Sequence, residues 1–285
     1  MISFLKENGL VRIPNLIKWA GGKNNLVKIL MNYVPKEFET YYEPFFGGGS
    51  LYWNLKLIGR IENAVISDIN SDLVNLLQVV QSGPDELATE ISNFRGLSGA
   101  ENFYRIRDEF NSHTNKRGKS IEKAAMFIYL NRNGYNGLWR TNKKGKYNVP
   151  YGYYKSFHLP SFSEILFFSH LLENTVIRCC SYIESIKFCN RDDLVYLDPP
   201  YLKAKFSNFT QYSKESFNLE DQWKLANLFG WLNKKGVKIM TTNRQSVEIH
   251  SLYHGYAFFT FNNIWSINRN GSDRKGKKEI LITNF

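Results

Sequence analysis

Short apolar runs alternate with segments of helical periodicity through most of this chain, and that alternation leaves few folds open to it. Val176-Ile177, Leu194–Leu197 and Val237–Met240 are rich in branched, aromatic or other apolar residues and bounded by polar or turn residues, the pattern of buried strands. Between the last two, Asn218 to Leu232 sets Leu219, Trp223, Ala226 and Leu228 at helical spacing, with Asn218 as N-cap and Lys235-Gly236 as the stop. A helix over Ser246–Leu252 and strands over Ala257–Phe261 and Ile280–Thr283 complete this half. In the other half, Tyr41–Glu43 and Ala64–Ser67 read as strands, each followed by a helix, Ser50–Lys56 and Ser71–Gln81. This succession predicts an α/β fold, a Rossmann-like, mostly parallel sheet of about seven strands with helices on both faces.

The stretch from Pro84 to Pro160 interrupts the pattern. It offers helices near Asp85–Phe94, Glu101–Phe110 and Ser120–Arg132, then a loop crowded with Asn, Gly, Lys and Tyr, and no strand that would extend the sheet. We therefore expect one domain from residues 1–84 and 161–285, and a helical domain, residues 85–160, inserted between the second and third strands. The shared tetrapeptide Asn-Arg-Asn-Gly at Asn131 and Asn268 is too short to be a repeat.

Charge bears on the partner. The 285 residues carry 37 basic against 26 acidic side chains, a net +11, which favours a polyanion, because Lys and Arg that neutralise phosphates release condensed counterions. Aromatic content of 15% adds stacking surfaces of the kind nucleic-acid binders use. Cys179, Cys180 and Cys189 form no C-x-x-C pair, so neither a disulfide framework nor a zinc site is indicated; they read as reduced thiols on or near a buried strand. Met1–Trp19 is broken by Lys6, Glu7, Arg12 and Pro14, and the longest apolar run, Ala124–Leu130, is far too short to span a bilayer. The expectation is a cytoplasmic protein with no membrane segment.

Two turns carry candidate chemistry. Asp198-Pro199-Pro200-Tyr201 follows the strand Leu194–Leu197 directly, at the carboxyl end where open α/β sheets place their sites. Its prolines fix the backbone and remove two donors. The Asp198 carboxylate, the Pro199 carbonyl and the Tyr201 ring suit a planar heterocycle with an amino group: the oxygens accept the amine hydrogens while the ring stacks. Glu43-Pro44-Phe45-Phe46-Gly47-Gly48-Gly49-Ser50 leaves another strand and enters a helix, with glycines that let a ligand approach the backbone. It is neither G-x-G-x-x-G nor a P-loop, so no dinucleotide or triphosphate is indicated. Asp68 ends the next strand, where nucleoside-binding folds place an acid for ribose hydroxyls; it could equally begin a turn.

Lys18-Trp19-Ala20-Gly21-Gly22-Lys23, the Glu43–Ser50 loop, Asp68-Ile69-Asn70-Ser71-Asp72-Leu73 and Asp198-Pro199-Pro200-Tyr201 together resemble the ordered motifs of the Dam-type DNA adenine-N6 methyltransferases. The resemblance extends to Asn131-Arg132, Tyr135-Asn136-Gly137-Leu138, Arg140 and Asn148-Val149-Pro150-Tyr151-Gly152 in the insertion, and so covers nearly the whole chain. It implies S-adenosylmethionine as methyl donor, held by Trp19, Lys23, Glu43, Phe45, Gly47, Gly49, Asp68 and Asp198, with Asp198, Pro199 and Tyr201 at the reacting amine. It also implies double-stranded DNA as substrate, methylated at GATC, with Lys18, Tyr135, Asn136, Leu138 and Arg140 at the bases and Pro150 nearby. Lys144, like Lys143 and Lys146, suits a phosphate contact. Tyr153 departs from the pattern, standing where relatives often carry arginine. The basic run Arg269, Arg274, Lys275, Lys277 and Lys278 is either a second DNA-contacting loop or a solvated hairpin. Direct displacement on the target amine requires neither a metal nor a nucleophilic cysteine, and no obligate protein partner is implied. Two rivals stay open at this point: a cytosine-N4 or RNA adenine methyltransferase, and a non-catalytic DNA-binding protein on the same fold.

Overall fold

The structure is a computed structural model that describes residues 13–23, 25–113, 120–201, 217–262 and 278–285. Its strands are β1 (Thr40–Glu43), β2 (Asn63–Asp68), β3 (Thr175–Cys179), β4 (Leu194–Leu197), β5 (Lys238–Arg244), β6 (Ala257–Asn262) and β7 (Lys278–Thr283). They form one seven-stranded sheet in the order β3-β2-β1-β4-β5-β7-β6. β1 runs parallel to β2 and β4, and β4 parallel to β5, whereas β7 is antiparallel to β5 and β6. The mostly parallel α/β sheet read from the sequence is therefore present, with its antiparallel pairs at one edge.

Strand order reverses between β1 and β4, which lie side by side with Tyr41 opposite Leu194 and Tyr42 opposite Val195. The loop leaving β1 and the turn leaving β4 thus emerge at the same edge, at the switch point where open α/β sheets bind ligands. All four residues of β4 are buried, as are Ile239 and Met240 beside them on β5. Two-faced burial of this kind needs apolar residues at every position, which is why β4 reads as a continuous run rather than an alternation.

The helices are α1 (Val27–Leu30), α2 (Ser50–Leu57), α3 (Ser71–Ser82), α4 (Pro84–Ser92), α5 (Ala100–Ser112), α6 (Ile121–Asn133), α7 (Phe162–Leu171), α8 (Tyr182–Ser185), α9 (Leu219–Lys234) and α10 (Val247–Leu252). Asn218 caps α9 as expected, accepting from the Asp221 amide while the Asp221 carboxylate accepts from the Asn218 amide. Every residue of α6 from Lys123 to Asn133 is buried, so it is a central helix rather than an amphipathic surface one. Its buried Lys123 pairs with Asp72 on α3 at 2.7 Å, which prevents an uncompensated interior charge.

The described residues of Met1–Lys23, Gly47–Arg60 and Ser67–Cys180 make one compact unit, and those of Asn24–Phe46, Ile61–Ile66 and Ser181–Phe285 a second. In the second, Leu225, Phe229 and Leu232 of α9 and Ile249 of α10 pack with Tyr42, Val195, Leu197, Ile239, Ile280 and Ile282 of the sheet. Each such side chain contributes about 1.5–3 kcal/mol on burial. One expectation needs correction. Val176 is 48% exposed, Cys179 is exposed and Cys180 half-buried; only Cys189 lies in the core. β3 is an edge strand and alternates buried and exposed positions, so its short apolar run is not one buried on both faces. Among the described residues no helix is long and apolar enough to cross a membrane.

Candidate active site

Four buried strand residues deliver Asp198 to the sheet edge, where it is half-exposed. Its Oδ1 accepts a hydrogen bond from Thr242 Oγ1 at 2.8 Å, and Thr242 Oγ1 in turn lies 3.1 Å from the Tyr196 hydroxyl. Pro199 is buried and Pro200 exposed, and the Pro200 carbonyl accepts from Gln222 Nε2 of α9 at 3.2 Å. Gln222 Oε1 accepts from Asn243 Nδ2 of β5 at 3.0 Å. The rigid turn is therefore braced from β5 on one side and α9 on the other. Tyr201 is half-buried and donates its hydroxyl to Glu279 Oε2 on β7 at 3.2 Å. Burial pushes the Tyr201 phenol well above its ordinary value, and the Asp198 and Glu279 charges push the same way, so it stays a neutral donor.

At the end of β1, Glu43 is buried and accepts from the Tyr41 hydroxyl at 2.8 Å. Phe45, two residues on, stacks on Tyr182 with ring centroids 5.1 Å apart and meets Phe217 edge-on at 5.9 Å. Aromatic residues thus line the exit of the neighbouring strand.

In the other unit, Gly47 and Gly49 both adopt left-handed conformations, with φ of 48° and 61°, as the loop turns into α2. A Cβ on Gly47 would lie 2.7 Å from Trp19 Nε1, and one on Gly48 3.1 Å from Trp19 Cβ. Gly47 is required by the indole packed against it, and Gly48 lies close to the same side chain. The Gly47 amide donates to Asp68 Oδ2 and the Asn70 amide to Asp68 Oδ1, both at 2.9 Å. Asp68 therefore opens a turn and also ties that turn to the glycine loop. Burial raises its carboxyl above the usual value, opposed by the hydrogen bonds from Asn70, Gly47 and Ile69. Lys23 is buried, not solvent-facing, and its ammonium donates to the Gly21 carbonyl at 2.9 Å.

The segment after α6 is a tight assembly. The Asn131 side chain accepts from the Lys18 amide at 2.7 Å and donates to the Lys18 carbonyl at 2.8 Å. The Lys18 ammonium donates to the Arg132 carbonyl and sits 4.1 Å from the Tyr154 ring centroid. Burial lowers the pKa of Lys18, with the Arg132 charge adding to it. Gly137, at φ 62°, is fixed by Lys18, whose Cβ would collide with any Cβ there. Tyr135 and Asn136 are exposed, Leu138 is half-buried, and the Tyr135 amide donates to the carbonyl of exposed Pro150. Arg140 is exposed and lies along the hairpin, its Nε on Asn148 Oδ1 at 2.8 Å. Lys143, Lys144 and Lys146 are exposed around the hairpin tip. Tyr153 is 77% exposed at φ 53°, an uncommon backbone state for an aromatic residue. Of the late basic run only Lys278 is among the described residues, and it is exposed.

Thr242, Asn243, Gln222 and Glu279 were not singled out in the sequence. Only the register that sets Leu197 against Thr241 brings β5 beside Asp198. The polar run Thr241-Thr242-Asn243, directly after the apolar Val237–Met240 and buried within β5, is the one signal that could have raised Thr242 and Asn243.

A carboxylate on a braced turn, beside a neutral phenol, thus stands at the switch point of a mostly parallel α/β sheet, where such folds place their ligand sites. The model of the D12 class N6 adenine-specific DNA methyltransferase family matches residues 19–268, and the chain belongs to that family. It is 36% identical to the type II methyltransferase M.MjaIII of Methanocaldococcus jannaschii, over 96% of this chain and 100% of that one. It is 32% identical to the type II methyltransferase M1.LlaDCHI of Lactococcus lactis subsp. cremoris, over 99% of both. The DNA adenine methylase of Escherichia coli K12 is 34% identical over 93% of each chain. The activity is thus adenine-N6 methylation of DNA, and the family implies S-adenosylmethionine as the donor.

Proposed function

We propose that the protein methylates the N6 amine of adenine in double-stranded GATC sites, on a base turned out of the helix. The observation that carries this reading is Asp198 at the carboxyl end of β4, its carboxylate held by a strand hydroxyl and its turn braced by Gln222. Asp198 and the Pro199 carbonyl accept the two amine hydrogens, and Tyr201 stacks on the ring. Accepting those hydrogens draws the nitrogen toward tetrahedral geometry and exposes its lone pair.

The residues present fit the methyl donor. Asp68 supplies an acid suited to ribose hydroxyls, and Lys23 an ammonium suited to a carboxylate. Trp19, Gly47, Gly49, Glu43, Phe45 and Asp198 supply the remaining apolar and polar contacts. When bound, S-adenosylmethionine supplies an electrophilic methyl group. The residues of the protein then orient the amine and keep water from its nitrogen.

Residues 85–160 serve as the recognition region. Arg140 suits guanine O6 and N7, reached when its guanidinium exchanges Asn148 for the base. Asn136, Leu138, Lys18 and Pro150 define neighbouring positions, Tyr135 fills the space a departed base leaves, and Lys144 neutralises a phosphate. Single-base sequencing of N6-methyladenine in DNA from cells expressing the protein tests this reading. The mark is expected at GATC; a mark at other sequences refutes that specificity and points to Tyr153.

A further inference from the structure

The hydroxyl that holds Asp198 is the end of a buried polar chain whose direction can be worked out by counting protons. Thr242 Oγ1 carries one hydrogen, and a carboxylate only accepts, so that hydrogen goes to Asp198 Oδ1, 2.8 Å away. Thr242 must then accept from the Tyr196 hydroxyl, 3.1 Å away. Burial and the nearby Asp198 charge keep the Tyr196 phenol neutral, so it remains a donor. Thr242 and Tyr196 are each 1% exposed, so water does not compete for these bonds. Thr242 is also fixed through its backbone, because β5 pairs with β4 on one side and with β7 on the other, where Thr242 faces Leu281.

An aspartate carboxylate turns about a terminal sp³–sp² torsion, which has a broad, shallow profile. A rigid turn at Pro199 and Pro200 fixes the Asp198 backbone and leaves that torsion soft. We propose that Thr242 is a positioning residue for methyl transfer, its hydroxyl, set by Tyr196, fixing the plane of the Asp198 carboxylate against the target amine. This inference rests on the reading that Asp198 accepts an amine hydrogen. A neighbouring threonine makes the comparison: Thr241 Oγ1 is buried with no hydrogen-bond partner among the described residues, so its hydroxyl holds nothing there.

The test is single-turnover methylation of a GATC duplex by the full chain at saturating donor, with thermal melting alongside. Thr242→Val keeps the shape and removes the hydrogen bonds that its hydroxyl makes with Asp198, Tyr196 and Tyr201; the rate is expected to fall roughly 10- to 100-fold, the scale on which small misplacements of catalytic groups act. KM for DNA stays within about two-fold, because the loss falls on orientation rather than on binding. Thr242→Ser returns the rate to within a few-fold of wild type, Tyr196→Phe gives a smaller fall, and Thr241→Val leaves the rate unchanged. A wild-type rate in Thr242→Val overturns the proposal. So does equal loss in Thr242→Ser and Thr242→Val, which would mark a packing role. If Thr242→Val fails to fold, Tyr196→Phe decides: a wild-type rate there removes the chain from the mechanism. Asp198→Ala run in parallel separates the two levels, since a wild-type rate in that variant overturns the reading of Asp198 itself.

Discussion

Gly47→Ala is the sharpest test of the glycine loop, because two separable costs fall on one added methyl group. The backbone cost comes from φ 48°, a left-handed conformation that a Cβ opposes by about 1–2 kcal/mol. The contact cost comes from Trp19, whose Nε1 would lie 2.7 Å and Cδ1 2.9 Å from the new Cβ, where ordinary contact starts at 3.4 Å. The indole or the loop must move by about 0.7 Å, and overpacking of this kind costs about 1–3 kcal/mol. Gly59→Ala isolates the first cost: it sits at φ 72° with nothing within 4 Å of its Cβ, in a helix C-terminal turn closed by the Arg60 amide on the Leu55 carbonyl. Calorimetric melting should place Gly59→Ala about 2–4 °C below wild type and Gly47→Ala about 5–10 °C below. Titration calorimetry with S-adenosylmethionine should show wild-type affinity for Gly59→Ala and a loss of about tenfold or more for Gly47→Ala. If Gly47→Ala melts with Gly59→Ala and binds the donor like wild type, the Trp19–loop contact constrains neither stability nor binding.

The remaining expectations concern DNA and pH. Affinity for duplex DNA should fall steeply between low and physiological salt, since several lysines are assigned to phosphates; a flat salt dependence would contradict that basic surface. Arg140→Ala should relax selectivity at one base pair by about 1–3 kcal/mol, while Lys144→Ala weakens binding to all sequences alike; methylation of GATC and its single-position variants distinguishes them, and a uniform loss in Arg140→Ala makes it a phosphate contact. Tyr201 has a folded-state pKa raised above its unfolded value, so stability from its neutral form is intact below about pH 10 and is lost only as pH rises through the higher folded value. Spectrophotometric titration of wild type against Tyr201→Phe should show no difference in phenolate at pH 10, and a difference there would refute the assignment.

Much of the fold was legible because it is local. β4 announces itself as an unbroken apolar run, and Asn218 caps α9 through a side chain three residues from its partner. The same holds for the placement of Asp198, since a strand followed by two prolines needs no tertiary information to end there. What escaped is set by register and by distant packing. Thr242 lies 44 residues from Asp198 and Glu279 lies 78 from Tyr201, and only the pairing of β4, β5 and β7 brings them together. At Gly47 and Gly48 the proximity of Trp19, from well upstream, was equally hidden, since only the fold sets that side chain where a Cβ would stand. Arg140 was likewise read as a base-reading side chain with no sign of Asn148, eight residues on, which holds it along the hairpin.

If Asp198 acts on the reacting amine rather than on the fold, its removal must slow methyl transfer without unfolding the protein. The most direct test is the amount of N6-methyladenine formed per enzyme in a single turnover, measured by mass spectrometry on a GATC duplex at saturating S-adenosylmethionine. Wild type and Asp198→Ala are compared at matched melting temperature. The carboxylate lies on a half-exposed turn, so the variant should fold and melt within a few degrees of wild type. Its rate should fall by about 10²–10³, the usual loss when a preorganised hydrogen-bonding group at the reacting centre is removed. An Asp198→Ala variant that methylates adenine at close to the wild-type rate would contradict the account.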